Sequence, residues 1–319
     1  MMFPFFIFFW FLLMSIMMAF SSSSLFFLWI CLEINMMSFI PLMFSKNIIS
    51  MNSTVTYFLI QSTASSIYIF TISVMFFSSN LITHLPIMIM ISMLIKLGSA
   101  PFHIWFPQVS EGLSFNSLLI LLTLQKMIPL YIISMFKNNI LIIPITLSAL
   151  MGSFGGFNQF SLRKILAFSS ISHLSWILTL LLVHSNYWLF YLAIYSTITL
   201  VIIFFINNFM MNFYNFSSKA NMELNFMFII LLLSLGGMPP TIGFIMKWTA
   251  LKIICNNILI ITIPLILSSL INLFFYTRLT YTSMLKHMIF YKWEKYFPYK
   301  LFWMIFYQIL IIFLMVSMI

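Results

Sequence analysis

Five ionisable side chains stand in stretches that otherwise carry no charge. Glu33 lies in LWICLEINMMSF, Lys96 in MLIKLGSAP, Lys126 in LLTLQKMIPL, His173 in FSSISHLSW and Lys247 in TIGFIMKW. Glutamate, lysine and histidine share one chemistry: each takes up and releases a proton without a covalent intermediate. At the centre of a bilayer a charge costs about 2.5–3.5 kcal/mol on insertion scales. Four such charges, Glu33, Lys96, Lys126 and Lys247, would cost on the order of 10 kcal/mol if unpaired. They must face the protein interior, pair or touch water. A proton relay through them needs no nucleophile and no metal.

Each residue also has a plainer reading. Lys96 stands near the end of an apolar run, where a long stem can snorkel to the interface. Lys126 is about thirteen residues into its run, too deep for that, and the short stem of Glu33 snorkels poorly. His173, among Ser169, Ser170, Ser172 and Ser175, either relays protons or packs as a hydrogen-bonded histidine. His103 and Glu111 read as residues at a helix end. Asn35, Gln125 and Asn272 read as hydrogen-bonding links between helices.

These side chains need elements to hold them, and composition says which. Of 319 residues 63% are hydrophobic and only 6% charged, with no aspartate at all. A soluble domain cannot cover that much apolar surface. Long apolar runs without strict alternation indicate helices rather than a β-barrel. The net charge of +10 sits in loops between runs. That placement fits the positive-inside bias and gives no reason to expect nucleic acid. Cys31 and Cys255 form no CxxC pair, so neither an Fe–S cluster nor structural zinc is expected, and both read as inert core thiols. No phosphate-binding glycine loop occurs, so no nucleotide is expected either. Heavy use of Phe, Ile, Met, Asn and Ser fits translation from an AT-rich genome, such as that of an organelle.

A span needs roughly 20 apolar residues. About eleven follow: 3–20, 25–44, 54–77, 82–99, 113–136, 140–158, 164–183, 187–212, 225–252, 257–279 and 300–319. The stretch 280–299 reads as an interfacial helix or loop. The first run, with no basic flank or small-residue cleavage site, reads as a retained helix. With eleven crossings, one side collects Lys46, Arg163, Lys164, Lys219, Arg278, Lys286, Lys292, Lys295 and Lys300. The other side collects only Lys137 and Lys252. The N-terminus is therefore expected on the positive side.

Two spans are interrupted alike. Leu97-Gly98-Ser99-Ala100-Pro101 follows Lys96, and Leu235-Gly236-Gly237-Met238-Pro239 precedes Lys247. Both read LGxxP. Glycine admits non-helical angles, and proline removes a donor. Broken helices in lipid are tolerated only where buried or lining a cavity, and a matching pair points to a transporter built from repeats. Break and lysine thus read as one device used twice. The first break falls in helix four and the second in helix nine, an odd offset, so the repeats are inverted. The expected fold is an all-α polytopic membrane protein, one domain over 1–319, with repeats 3–136 and 140–279 and a C-terminal helix 300–319.

Five segments, WICLEINMMSFIPL (29–42), KLGSAPFHIWFPQVSEG (96–112), LLTLQKMIPLY (121–131), LRKILAFSSISHLSW (162–176) and LLSLGGMPPTIGFIMKW (232–248), carry a resemblance. In that order the chain resembles the subunit 2 family of mitochondrial NADH:ubiquinone oxidoreductase, respiratory complex I, in its animal form. The resemblance implies an antiporter-like, proton-translocating subunit of the membrane arm. It puts the hydrophilic axis on Glu33, Lys96, Lys126 and Lys247. Relatives often show an acid where this chain has Gln108, which withdraws any acidic role there. It also implies the mitochondrial inner membrane, the N-terminus in the matrix and the C-terminus in the intermembrane space. Flavin, Fe–S clusters and ubiquinone would be bound by other subunits. Partners would be membrane-arm and accessory subunits and membrane lipid such as cardiolipin. Two other functions remain open on sequence: a secondary cation/proton antiporter subunit, and a structural subunit that transports nothing.

Overall fold

A computed structural model describes residues 2–77, 85–136, 138–183, 185–209, 222–239 and 241–288. The expected helix 300–319, the stretch 289–299, Lys137, Lys219, Lys292, Glu294, Lys295, Lys300 and Pro240 lie outside the described residues. Among the described residues every regular element is a helix. In chain order they are α1 Met2–Ser21, α2 Leu25–Met43, α3 Ile48–Phe77, α4 Leu85–Leu97, α5 Trp105–Gly112, α6 Phe115–Leu122, α7 Leu124–Met135, α8 Ile142–Phe157, α9 Leu162–Leu182, α10 Tyr187–Phe209, α11 Met222–Gly236, α12 Ile242–Cys255 and α13 Thr262–Met288. Among the described residues seven stretches are long and apolar enough to cross a membrane, and shorter apolar helices cover Phe5–Ser21, Leu85–Leu97 and Met227–Gly236.

α9 is the pillar of the bundle. It touches α5, α6, α7, α8, α10, α12 and α13. A helix surrounded in this way must be able to bury every face. α9 does so with serines, whose hydroxyls bond back into their own helix: Ser169 to Leu166 O, Ser170 to Ala167 O, Ser172 to Ser169 O and Ser175 to Ser172 O. α8 meets it through a small residue: a Cβ built on Gly152 would stand 2.6 Å from Ser172 N. Small interface residues let helix backbones approach in this way. Phe6, Trp10, Ile143, Phe154, Phe204 and Leu270 point outward and are exposed, as a bundle standing in lipid requires.

One end of the bundle is basic. Arg163 donates to Glu111 O at 2.9 Å and lies over the Phe115 ring, while Lys164 pairs with Glu111 at 2.7 Å. Arg278 donates to Phe157 O at 2.7 Å and to Gln159 O at 2.8 Å. The ends of α5 and α8 and the starts of α6 and α9 therefore gather there. Glu111 does serve at a helix end, with Lys164 as its partner. The last turn of α9, the start of α10 and the second half of α12 meet at the opposite end, where Leu180, Tyr187, Thr249 and Ala250 line one cavity. The broken helix α4–α5 thus runs toward the basic end, and α11–α12 runs away from it.

Several boundaries differ from the sequence expectation. The stretch 113–136 is two helices, interrupted at Thr123, whose φ −118° and ψ −77° leave the helical range. The Thr123 hydroxyl bonds to Leu119 O at 2.7 Å, and Pro129 deprives the carbonyl of Gln125 of its helical donor. The stretch 225–252 is α11 and α12, separated by the second glycine break. The third helix starts six residues early, at Ile48, and α13 continues through Met288 into the stretch read as interfacial. Cys31 is buried as expected, but Cys255, ending α12, is exposed.

Candidate proton-relay site

Both breaks are built by the same cap. At the first, Gly98 has φ +66°, Gly98 N bonds to Ile95 O at 3.1 Å and Ser99 N to Leu94 O at 3.2 Å. At the second, Gly237 has φ +85°, Gly237 N bonds to Ser234 O at 3.2 Å and Met238 N to Leu233 O at 3.1 Å. This is the Schellman pattern, which needs a left-handed residue that glycine supplies without strain. It corrects the register. Gly98 corresponds to Gly237, not to Gly236, and the shared motif is GxxP, with Pro101 matching Pro240.

The caps free carbonyls at mid-bundle, and different donors take them. At the first break Trp105 Nε1 donates to Ile95 O and Gln61 Nε2 donates to Lys96 O, both at 3.2 Å. At the second, Lys247 Nζ donates to Gly236 O at 2.7 Å and Leu235 O at 3.4 Å. Lys96, in the last turn of α4, and Lys247, reaching back to α11, both lie by the C-terminal end of a half-helix. That end carries partial negative charge and suits a cation.

Lys96 does not snorkel, because it is only 7% exposed. It shares a cavity with Lys126, lined also by Asn35, Tyr57, Gln61 and Gln125. The cavity offers ≈ 20 Å³ for water centres, room for at least one water among polar partners. Its wall is already ordered: Tyr57 donates to Gln125 Oε1 at 3.2 Å, and Gln125 donates to Asn35 Oδ1 at 2.9 Å. Lys126, on α7, donates to Ser170 O of α9 at 3.3 Å. Its ammonium lies 5.4 Å from the Phe106 ring and 5.5 Å from the Tyr195 ring, within cation–π range.

His173 is 1% exposed and lies within electrostatic reach of Lys126 and Lys247. Its Nδ1 is 2.9 Å from the Tyr191 hydroxyl, and its Nε2 is buried without a hydrogen-bond partner. Glu33 lies at the margin. It is half-buried on α2, its Oε1 has no hydrogen-bond partner, and its charge acts on Lys96 and Tyr57. The structure thus gathers Lys96 and Lys126 around one cavity, and His173 is buried in the same bundle on α9, the helix whose Ser170 carbonyl Lys126 takes. Asn272 links helices as expected, donating to Ser172 at 2.6 Å. His103 stands outside this group, near its own turn at Pro101 O. Gln61, Tyr57, Tyr191 and Tyr195 belong to the site and were not singled out from sequence. Gln61 carried a signal, as an amide inside YFLIQSTA; the tyrosines read like any membrane tyrosine. Among the described residues no three His, Cys or Glu side chains gather to hold a metal.

Buried lysines beside glycine-broken half-helices, in an all-helical bundle, define an antiporter-like membrane domain. Comparison with known proteins agrees. The family described as NADH:quinone oxidoreductase/Mrp antiporter, transmembrane, matches residues 22–272. NADH-ubiquinone oxidoreductase chain 2 of Anopheles gambiae is 42% identical over 284 residues, covering 85% of this chain and 83% of that one. The same protein of Rhipicephalus sanguineus is 41% identical over 275 residues, 85% of this chain and 86% of that one. A chain of respiratory complex I from Thermus thermophilus superposes with TM-score 0.79 at 17% identity, over 88% of this chain and 70% of that chain. A chain of the Mrp complex from Dietzia sp. superposes with TM-score 0.70 at 17% identity, over 86% and 58%. At such identities the two structures speak to the fold alone. The chain belongs to the NADH:quinone oxidoreductase/Mrp antiporter family, as a member of its NADH-ubiquinone oxidoreductase chain 2 branch.

Proposed function

We propose that this chain is the antiporter-like subunit of the membrane arm of respiratory complex I. It moves protons across the mitochondrial inner membrane, coupled to electron transfer from NADH to ubiquinone. The observation that carries the reading is the buried series Lys96, Lys126, His173 and Lys247 between two glycine breaks. In this reading Glu33, on α2, joins the series at its Lys96 end and exchanges a proton with Lys96. Water in the shared cavity carries it to Lys126, and beyond Lys126 it is shared by His173 and Lys247. In this reading flavin, Fe–S clusters and ubiquinone are bound by other subunits of the complex.

The finer architecture belongs to the same reading. About eleven spans form two inverted five-helix repeats, and the opposite course of the two broken helices supports the inversion. The loop charges support a matrix N-terminus and a C-terminus in the intermembrane space. Partners are neighbouring membrane-arm and accessory subunits. The basic end, with Arg163, Lys164 and Arg278, supports contact with anionic lipid such as cardiolipin. The family description, which names the Mrp antiporter beside the oxidoreductase, leaves a second reading, a subunit of a secondary cation/proton antiporter. Purification in mild detergent separates the two: co-purification with flavin and Fe–S proteins is expected, and isolation with antiporter subunits alone would overturn the first reading. Within the complex, Lys126→Ala or Glu33→Gln should strongly lower protons pumped per NADH while assembly survives. Normal pumping in either variant removes that residue from the relay.

A further inference from the structure

The relay needs a way out, and one tyrosine bridges the distance. His173 lies nine residues before the end of α9, roughly 13 Å from the end of the bundle opposite the basic one. Tyr191 lies four residues, or roughly 6 Å, inside the start of α10 at that same end. Its hydroxyl lies 2.9 Å from His173 Nδ1. The Tyr191 side chain also lines the cavity between α9, α10 and α12, together with Leu180, Tyr187, Thr249 and Ala250. That cavity offers ≈ 10 Å³ for water centres, the lower limit for one water; Phe190, Ile194 and Met246 complete its lining, and Tyr187, Tyr191 and Thr249 are its polar residues. Thr249 and Ala250 stand within a turn of Lys247 toward the same end, and Tyr187 at the mouth is 41% exposed.

We propose that Tyr191 is the proton carrier that connects His173 to the α9–α10–α12 cavity, and that protons leave the relay there, away from the basic end. The proposal rests on the relay reading given above. In the step, the protonated imidazole gives its Nδ1 proton to the Tyr191 oxygen. The phenol's own proton passes at the same moment to a water in the cavity. One N–H and one O–H bond break, two O–H bonds form, and the tyrosine stays neutral throughout. The new O–H is left donating to the neutral imidazole, and rotation of the hydroxyl back toward the cavity, as Nδ1 is protonated again, resets the carrier. Tyr191 is held for this by stacking on Trp176, with ring centroids 6.5 Å apart and planes 10° apart.

The experiment measures protons moved per NADH oxidised by the intact complex in proteoliposomes. Tyr191→Phe keeps the ring and removes the hydroxyl. Thr249→Cys, in a Cys255→Ser background, is labelled with a methanethiosulfonate reagent, which plugs the cavity in a chain that has already folded. Lys126→Ala is measured beside them. The expected result is that Tyr191→Phe and the labelled Thr249→Cys lower the ratio as far as Lys126→Ala does, with unlabelled Thr249→Cys normal. A drop in Tyr191→Phe with a normal ratio after plugging makes Tyr191 a positioning residue for His173 and overturns the exit. Normal ratios in both, with a loss in Lys126→Ala, overturn the proposal and leave the relay standing. A normal ratio in Lys126→Ala overturns the relay itself.

Discussion

Gly237→Ala forces a Cβ onto a backbone held at φ +85°. A non-glycine residue in that region costs roughly 1–2 kcal/mol. The new carbon would also stand 3.0 Å from Lys247 Cδ and 3.1 Å from its Nζ, so the lysine must give way by a few tenths of an ångström. Its 2.7 Å bond to Gly236 O is what that shift weakens. A hydrogen bond to a charged group contributes about 1.5–3 kcal/mol. Strain and part of that bond together come to about 2–4 kcal/mol, concentrated on one residue of the relay. Gly236→Ala, one residue away, is the control. Its Cβ meets nothing closer than Leu273 Cα at 3.5 Å, its φ is not left-handed, and alanine near a helix end is neutral or gains up to about 1 kcal/mol. The assay is proton uptake per NADH oxidised in proteoliposomes, with thermal stability of the purified complex alongside. Gly237→Ala should lose most of its pumping and some stability, and Gly236→Ala neither. Equal damage from both, or none from Gly237→Ala, would refute the alignment of the break on Gly237 and its bearing on Lys247.

Two other substitutions test the frame. Gly152→Ala puts a carbon 2.6 Å from Ser172 N and 3.0 Å from Phe168 O, both backbone atoms that cannot swing aside. Overpacking of this kind costs about 1–3 kcal/mol, so the variant should show a lower yield of assembled complex on native gels. Glu111→Gln removes the ion pair with Lys164, whose side chains are 47% and 29% exposed. The effect on thermal stability should stay under about 1 kcal/mol and should shrink further with added salt.

Much of this was legible in the residues. The helical class followed from unbroken apolar runs, and the burial of Lys96, Lys126 and Lys247 from their place inside them. Both breaks were legible as glycine and proline in apolar context. The register between them was not, because LGxxP matches on leucine, whereas the cap selects the residue with positive φ. The break at Thr123 was missed because threonine is common in helices and nothing beside it in the sequence marks a break. α5 was missed because eight residues are too few to show a period. Gln61, at the Lys96 carbonyl, and Tyr191, at His173, join elements that meet only in the folded bundle. No spacing along the chain announces such contacts.

The two breaks share a cap but not a partner, and the prolines explain the difference. In a helix the carbonyl of residue i takes the N–H of residue i+4. Pro239 and Pro240 have no N–H, so Leu235 and Gly236 would lack donors even if α11 ran on unbroken. Those are the two carbonyls that Lys247 Nζ takes. A buried carbonyl left alone costs about 1–3 kcal/mol, and so does a buried ammonium without acceptors, or more. At this break each solves the other's problem, and glycine at 237 keeps the lysine stem in reach. The first break carries a single proline, Pro101, whose missing N–H concerns Leu97. The carbonyls of Ile95 and Lys96 are taken by Trp105 and Gln61, both neutral. Lys96 is therefore free of its own break and turns to the cavity it shares with Lys126. The expectation of one device used twice holds for the backbone and fails for the lysines. One is tied to the opened chain, and the other faces the space where water can stand.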